Sequence, residues 1–374
     1  MLFRSEDIGC LVKWGFQALA EEDRFGFLFD NVDGGTIPVA TGALGASIEA
    51  YALGLGVEPA EINAKWEHAL CNPVAPVLVD DAPCHEVVLE GSDVDLGALP
   101  IPVWTPGKDA GRYVTAVVVT RDADSGTQNY GVYRTQILGP DRMVSNLSPG
   151  RQGTRCVQSW HARGEPAPFA LVIGAEPAMY YASVTTLPFS VDEATLAGGL
   201  KQEALEVVRG RSVELDIPAR TEIVIEGFID TRWLEPEAPF GESHGYVNLQ
   251  EYNAFMDVTA ITRRRNPILT SFISQVTPSE SKAATEVARV TGSPRSSPRS
   301  ASKASALSDH AHGLARFERF HIRGGRHLTC SGVLQHNPMA LNHRVEGIVV
   351  LSARVAGTIA CCDVRARRVM GTSY

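Results

Sequence analysis

Long apolar runs are missing from this chain: no stretch approaches the roughly 20 residues that a membrane-spanning helix needs, so no helical span is expected. The start, Met1-Leu-Phe-Arg-Ser-Glu-Asp, has none of the basic and then apolar pattern of a secretory signal, and a cytoplasmic location is expected. Cysteine is scarce, 7 in 374 residues, and none is set in the C-x-x-C pairs of a zinc site. An odd number fits reduced thiols rather than a disulfide framework, and the adjacent Cys361-Cys362 is no metal signature. No G-x-G-x-x-G loop is present, which removes support for a Rossmann dehydrogenase, and no internal repeat points to a solenoid. Positive charge is in deficit: 34 Lys and Arg against 43 Asp and Glu leave a net −9. That sign argues against a nucleic-acid partner, whose phosphates are bound by clustered cations.

What the chain does have is the balance of a globular protein, 44% hydrophobic and 21% charged residues, at a length that accommodates two or more domains. Residues up to about Pro73 read as helical with one interruption. Ala43 to Leu55 meets a helix stop at Gly54 and Gly56, and Glu58-Pro59 opens another helix with proline in its first turn. Trp66 and Leu70 fall on one face of that helix and read as core. From Val74 to Leu96 the period switches to two, with strands at Val77-Leu-Val and Glu86 to Glu90. Strands dominate from Leu99 to Gly139, where Val114 to Thr120 and Gly131 to Leu138 flank a turn at Asp122 to Gln128. A helix near Trp160, a buried strand at Phe169 to Ile173, a helix from Ala194 to Val208 and a strand from Val213 to Ile229 follow. Repeated strands with few helices between them suit a barrel-like β core better than a doubly wound sheet.

Three stretches concentrate chemistry. Glu235-Pro-Glu237-Ala-Pro-Phe240-Gly-Glu242-Ser-His244-Gly-Tyr246 holds two prolines and two glycines, which exclude a helix interior and predict a loop. It follows the strand-like Thr221 to Ile229, so Glu237, Phe240, Glu242 and His244 sit on a stiffened connection at a strand end, where catalytic groups tend to lie. An acidic solvated loop is the plain alternative, and His244 reads as a structural loop residue. Asn129-Tyr-Gly-Val-Tyr-Arg134 follows the Ser125-Gly126 turn and opens the second strand of a hairpin. Asn129 and Arg134 are an odd number of residues apart, so they face opposite sides of the sheet and reach different partners. Leu187-Pro-Phe-Ser190-Val-Asp-Glu193 opens a helix, and Ser190 with Glu193 has the spacing of a capping box.

Asn129 with Arg134, Thr185-Thr186-Leu187-Pro188 with Glu193, and Glu237-Ala-Pro-Phe-Gly-Glu242-Ser-His-Gly-Tyr together resemble the UbiD family of prenylated-flavin-dependent decarboxylases. Ala82-Pro-Cys-His-Glu-Val-Val-Leu-Glu-Gly-Ser-Asp-Val-Asp-Leu, Leu99-Pro-Ile-Pro-Val, Gly111-Arg-Tyr-Val-Thr115 and Ile261-Thr-Arg-Arg-Arg-Asn-Pro-Ile add to the resemblance, which runs in order to about Ser281. It implies an α+β fold: an amino-terminal α/β region over 1–98, a split β-barrel binding the flavin and carrying the catalytic loop over 99–292, and a carboxy-terminal oligomerisation domain whose motifs are missing from 293–374.

The activity implied is non-oxidative, reversible decarboxylation of an aromatic or α,β-unsaturated acid. Prenylated FMN, supplied by a flavin prenyltransferase, would be held with Mn²⁺ (or Mg²⁺) and K⁺ in a homodimer or higher homo-oligomer. The metal ligands that carry over are Asn129, Gln152 and Glu193, with Gln152 standing where the family has a histidine. A glutamine carbonyl still ligates a hard cation, though less strongly than an imidazole. Thr115, Thr185, Thr186, Leu187 and Pro188 carry over as cofactor contacts, with Arg134. Arg134, Glu237 and Glu242 carry over as the catalytic set. Arginine pairs bidentately with one carboxylate, and two carboxylates side by side compete for ionisation, which makes Glu242 the proton donor and leaves the hard step to the cofactor.

Two other readings stay open. An ordinary FMN-binding split-barrel oxidoreductase explains the strands but not the Arg134, Glu237 and Glu242 set. A non-catalytic, truncated remnant accounts for the tail. From Ser293 onward lie 12 of the 34 Lys and Arg, only 4 of the 43 Asp and Glu, and 6 of the 10 His. Ser293-Pro-Arg-Ser-Ser-Pro-Arg-Ser is low in complexity and basic, as disordered arms are. The change follows directly on a helix-like stretch, Lys282 to Val290, whereas domain boundaries prefer exposed linkers. We therefore expect the residues from about Ser293 to be read out of frame. Translating the same DNA in the other two forward frames beyond codon 292 checks this: one of them should show a patterned continuation of roughly a hundred residues. Its absence from both means that the tail is native.

Overall fold

The computed structural model describes residues 2–189, 191–243, 245–274, 278–280, 348–351 and 364–366; Ser190, His244 and the expected helix at Lys282 to Val290 lie outside them. The amino-terminal part alternates short helices and strands: α1 (Ser5–Ala18), β1 (Gly26–Phe29), β2 (Val39–Thr41), α2 (Ile48–Leu55), α3 (Ile62–Cys71), β3 (Val77–Leu78) and β4 (Val87–Glu90). Ser47 sets the start of α2 by accepting a hydrogen bond from the Ala50 amide, so the helix opens later than Ala43. Gly56, at φ 67°, ends it in the left-handed conformation that glycine adopts without steric cost. The buried face of α3 runs through Ile62, Trp66 and Ala69, leaving the expected core residue Leu70 beside it and exposed. The Trp66 indole donates to the Tyr51 hydroxyl at 3.1 Å and ties α3 to α2.

The remainder supplies β5 (Tyr113–Arg121), β6 (Gln128–Ile137), β7 (Arg142–Ser145), α4 (Gln152–Ala162), β8 (Ala167–Ile173), α5 (Pro177–Ser183), α6 (Glu193–Lys201), β9 (Glu206–Arg209), β10 (Asp216–Pro218), β11 (Ile223–Glu237), β12 (Glu251–Arg263) and β13 (Leu269–Thr270). Strand order β11-β8-β5-β6-β7-β12, with β11 pairing back onto β12, closes a six-stranded barrel, and β4 continues along the β7 edge of β12. Val114, Ala116 and Val118 of β5 enter one apolar cluster while Val117 and Val119 enter another, so the strand is buried on both faces. That double burial is why its centre, Ala116 to Val119, is apolar throughout rather than alternating. The second cluster joins β5 to residues of α2, α3, α5 and α6, which cover that side of the wall. An α+β fold built on a barrel is thus what the chain forms.

The stretch up to Pro73 that reads as helical also contains β1 and β2, which pair with each other, and three further boundaries differ from the sequence reading. The helix expected to reach Val208 stops at Lys201, where Gln202 takes φ 62°, and the β-branched pair Val207-Val208 goes into β9 beside β10. The strand expected from Val213 to Ile229 is broken by the Pro218 to Thr221 turn into β10 and β11. The stretch expected to be loop from Glu235 is strand as far as Glu237, with Pro236 opposite Tyr252 of β12. Pairing of β11 with β8 ends at Ile229, so on its far edge Pro236 has no ladder bond to lose.

A three-stranded sheet, β10-β9-β3, and a second sheet, β13-β2-β1, lie beside the barrel; the second continues through β14 (Ile348–Leu351) and β15 (Val364–Ala366). Among the described residues no helix is long and apolar enough to cross a membrane.

Candidate functional site

One strand, β6, presents both polar clusters of the site. The β5–β6 register sets Thr120 opposite Asn129 and Thr115 opposite Arg134, and the odd spacing sends Asn129 and Arg134 to opposite faces, as period two requires.

On one face the Arg134 guanidinium binds Glu237 with two parallel hydrogen bonds, Nε to Oε1 at 2.9 Å and Nη2 to Oε2 at 2.8 Å, while Nη1 binds Glu242 Oε1. The side chains are 11% exposed for Arg134, 0% for Glu237 and 22% for Glu242. That gradient separates the two carboxylates: one is sealed, the other reaches solvent. Asn253 Nδ2 donates to Glu237 Oε2 at 3.2 Å, and Asn248 Nδ2 to Glu242 Oε1 at 3.1 Å. Burial works against the Arg134 charge, but the hydrogen bond and charge of Glu237, with the charge of Glu242, raise its pKa above the ordinary value, so it is a permanent cation. The Phe240 ring lies 5.6 Å from that cation and 4.4 Å from the Tyr113 ring, closing the apolar side.

The other cluster joins Asn129, Gln152 and Glu193. Asn129 Nδ2 donates to Glu193 Oε1 at 3.1 Å and to Gln152 Oε1 at 3.4 Å, and the Tyr130 amide donates to Glu193 Oε2 at 3.0 Å. Gln152 Nε2 in turn donates to the Leu187 carbonyl. Burial pushes the Glu193 carboxyl up to about 7, against the opposing pull of the Tyr130 amide and Asn129. Among the described residues Asn129 Oδ1, which is buried, has no hydrogen-bond partner. An orphaned amide oxygen beside a carboxylate and a second amide oxygen is a donor set that fits a hard divalent cation.

The expected capping box does not form with Glu193. Asp192 caps α6 instead, accepting from the Ala194 amide at 2.7 Å, which leaves Glu193 as the first helical residue with its carboxylate turned to β6.

Thr115, opposite Arg134 on β5, carries a buried hydroxyl that has no partner among the described residues. The Thr185 hydroxyl donates to the Tyr181 carbonyl at 2.9 Å and is thereby occupied, while Leu187 is buried and Thr186 and Pro188 are exposed. The structure also brings in residues that sequence reasoning missed: Tyr133, whose hydroxyl accepts from the Gly153 amide at 3.2 Å, and Tyr113, Asp109, Asn248 and Asn253 around the carboxylates. Asn248 and Asn253 lie within 16 residues of their partners, but no spacing rule marks them.

The sequence profile described as "UbiD: 3-octaprenyl-4-hydroxybenzoate carboxy-lyase Rift-related domain" matches residues 77–276. Among solved structures, the chain is similar to the UbiD-class enzyme HmfF from Pelotomaculum thermopropionicum in complex with FMN, with 34% identity and a TM-score of 0.70 over 77% of this chain and 63% of that one. An evolved dimeric form of the same enzyme in complex with prFMN gives 33%, 0.71, 77% and 66%. The apo 3,4-dihydroxybenzoic acid decarboxylase of Klebsiella pneumoniae gives 28%, 0.68, 76% and 62%. The chain therefore spans somewhat less than two thirds of the length of these relatives.

The Glu193 carboxyl generates a pH prediction. Its folded value of about 7 lies above the ordinary 4.5, so between those values the folded protein holds a proton that the unfolded chain releases. The contribution is greatest below pH 4.5, declines as pH rises to about 7 and is level above. Glu193→Gln abolishes this decline. In chelator, the unfolding free energy of the variant minus that of the parent should grow by about 3 kcal/mol from pH 4.5 to 8, measured by urea titration. A flat difference would contradict the burial of this carboxyl.

Proposed function

Since the chain belongs to the UbiD family of carboxy-lyases, we propose that it carries out reversible, non-oxidative decarboxylation of an aromatic or α,β-unsaturated carboxylic acid with prenylated FMN. The observation that carries this reading is Arg134 shared by two unequal carboxylates, Glu237 sealed and Glu242 partly open. A plain redox flavin site has no use for that arrangement. The relatives support the cofactor and the chemistry, being HmfF with FMN or prFMN and a decarboxylase of 3,4-dihydroxybenzoic acid.

In this reading Asn129, Gln152 and Glu193 would hold Mn²⁺ (or Mg²⁺), the Thr185 to Pro188 segment would serve K⁺ and the cofactor, and Thr115 would be a further cofactor contact. The bound cofactor supplies an electron sink for carbon–carbon cleavage. The chain supplies position and a proton. Arg134 is anchored through two bonds to Glu237 and through its third nitrogen holds Glu242 where it reaches solvent. As CO₂ leaves, Glu242 gives its proton to the carbon that carried the carboxyl, and then regains one from water; in the carboxylation direction it takes the proton from that carbon. In the same reading the cofactor-binding region is assigned to 99–292, following the amino-terminal region at 1–98. The protein works in the cytoplasm as a homodimer or larger homo-oligomer, with a flavin prenyltransferase as cofactor source.

The test uses protein co-expressed with a flavin prenyltransferase. The parent should show modified-flavin absorption; plain FMN bands would favour the oxidoreductase reading, and no flavin the remnant. Glu242→Gln should keep the parent's absorption and lose turnover by about 100-fold or more, since the amide keeps the shape and lacks the proton. A variant with the parent's rate would overturn the role of Glu242.

A further inference from the structure

Glu237 and Glu242 are held in place by different means. Glu237 is the last residue of β11 and is paired with Glu251 of β12, so the barrel itself positions it. Glu242 lies beyond the end of that strand, on a connection held locally by the Gly241–Val247 bridge and by the Glu242 amide, which donates to the Tyr246 carbonyl at 2.9 Å.

A turn more than a hundred residues earlier in the chain grips this connection from outside. Asp109 Oδ2 accepts from the Thr105 amide at 2.7 Å and its Oδ1 accepts from the Gly241 amide at 2.9 Å, one residue before Glu242. The Ala110 amide donates to the Pro239 carbonyl at 2.8 Å. The Tyr113 hydroxyl accepts from the Ala238 amide at 3.0 Å and donates to Gln136 Oε1 at 3.0 Å. Ala238 has φ 75°, a left-handed conformation that side chains disfavour and that neighbours must enforce. Contact is tight enough that a Cβ on Gly241 would lie 2.5 Å from Thr105 Oγ1.

We propose that Asp109 is a positioning residue for Glu242: its two-pronged carboxylate fixes Gly241 and thereby sets where Glu242 meets Arg134. The inference rests on the reading of Glu242 as the proton donor. The chemistry requires a carboxylate, because both partners are amide N–H donors and each needs an oxygen. Asparagine offers one oxygen and turns an NH₂ toward the other donor. Beside its own Glu242-to-Tyr246 and Asn248-to-Phe240 backbone bonds the loop has two charged anchors, Asp109 on Gly241 and Arg134 on Glu242, and loss of the first loosens Glu242 while leaving the Arg134–Glu237 pair intact.

Amide hydrogen exchange on the full chain, read by mass spectrometry, tests the anchor without any cofactor. In Asp109→Ala the Gly241 amide should exchange roughly 10- to 100-fold faster, as loss of a hydrogen bond to a charged group implies, and Asp109→Asn should follow it. Peptides from β5 and β6 should keep the parent's protection. Unchanged exchange at 238–242 overturns the proposal, and so does equal acceleration in the barrel, which would mark a merely structural residue. In cofactor-loaded protein kcat should fall about tenfold or more with KM within roughly twofold, and an unchanged kcat also overturns it. Full activity in Glu242→Gln would instead remove the functional reading and leave the exchange result standing.

Discussion

The charged group at the heart of this structure is Arg134, buried with 11% of its side chain exposed and bonded to two carboxylates. A guanidinium can leave water only if its donors are satisfied by well-placed acceptors, because desolvating an ion costs several kcal/mol before any attraction is counted. The bidentate bond to Glu237 meets that condition, and it imposes a second one. Glu237 has no exposed side-chain surface, so it depends on Arg134 as strongly as Arg134 depends on it. Barrel closure makes the pair possible: Arg134 comes from β6, Glu237 from the end of β11, and β11 returns to β12 to complete the ring.

The same strand carries the second constraint. Period two puts Asn129 on the opposite face from Arg134, where α4 and α6 bring Gln152 and Glu193. One element thereby holds an oxygen-rich cluster suited to a hard cation and a cation–carboxylate cluster suited to proton transfer. Both are fixed by a backbone buried on two sides. The parts of the site that sit outside the ladder need their own anchors, and the Thr105 to Tyr113 segment provides them for the loop after Glu237.

Much of this was legible before the structure. Val114 to Thr120 and Gly131 to Leu138 read as strands, the Asp122 to Gln128 turn between them announced the hairpin, and the odd spacing of Asn129 and Arg134 announced two faces. Resemblance to the UbiD family brought Arg134, Glu237 and Glu242 together, and Asn129, Gln152 and Glu193 together, and the geometry joins each set by hydrogen bonds. What was illegible depends on contacts distant in sequence. Pro236 reads as a loop residue unless one knows that β11 has lost its second neighbour there. Glu193 has the spacing of a capping-box partner three residues after Ser190, whereas the helix is capped by Asp192 and begins at Glu193. Asp109 carries no local signal, since its partner Gly241 is 132 residues away.

The central claim is that Arg134 and Glu237 are a mutually dependent buried pair, and a double-mutant cycle followed by urea unfolding measures it directly. Arg134→Met strands a buried carboxylate and should lose about 3–5 kcal/mol, whereas adding Glu237→Gln to that variant should restore about 1 kcal/mol or more. A double variant no more stable than Arg134→Met alone would contradict the account.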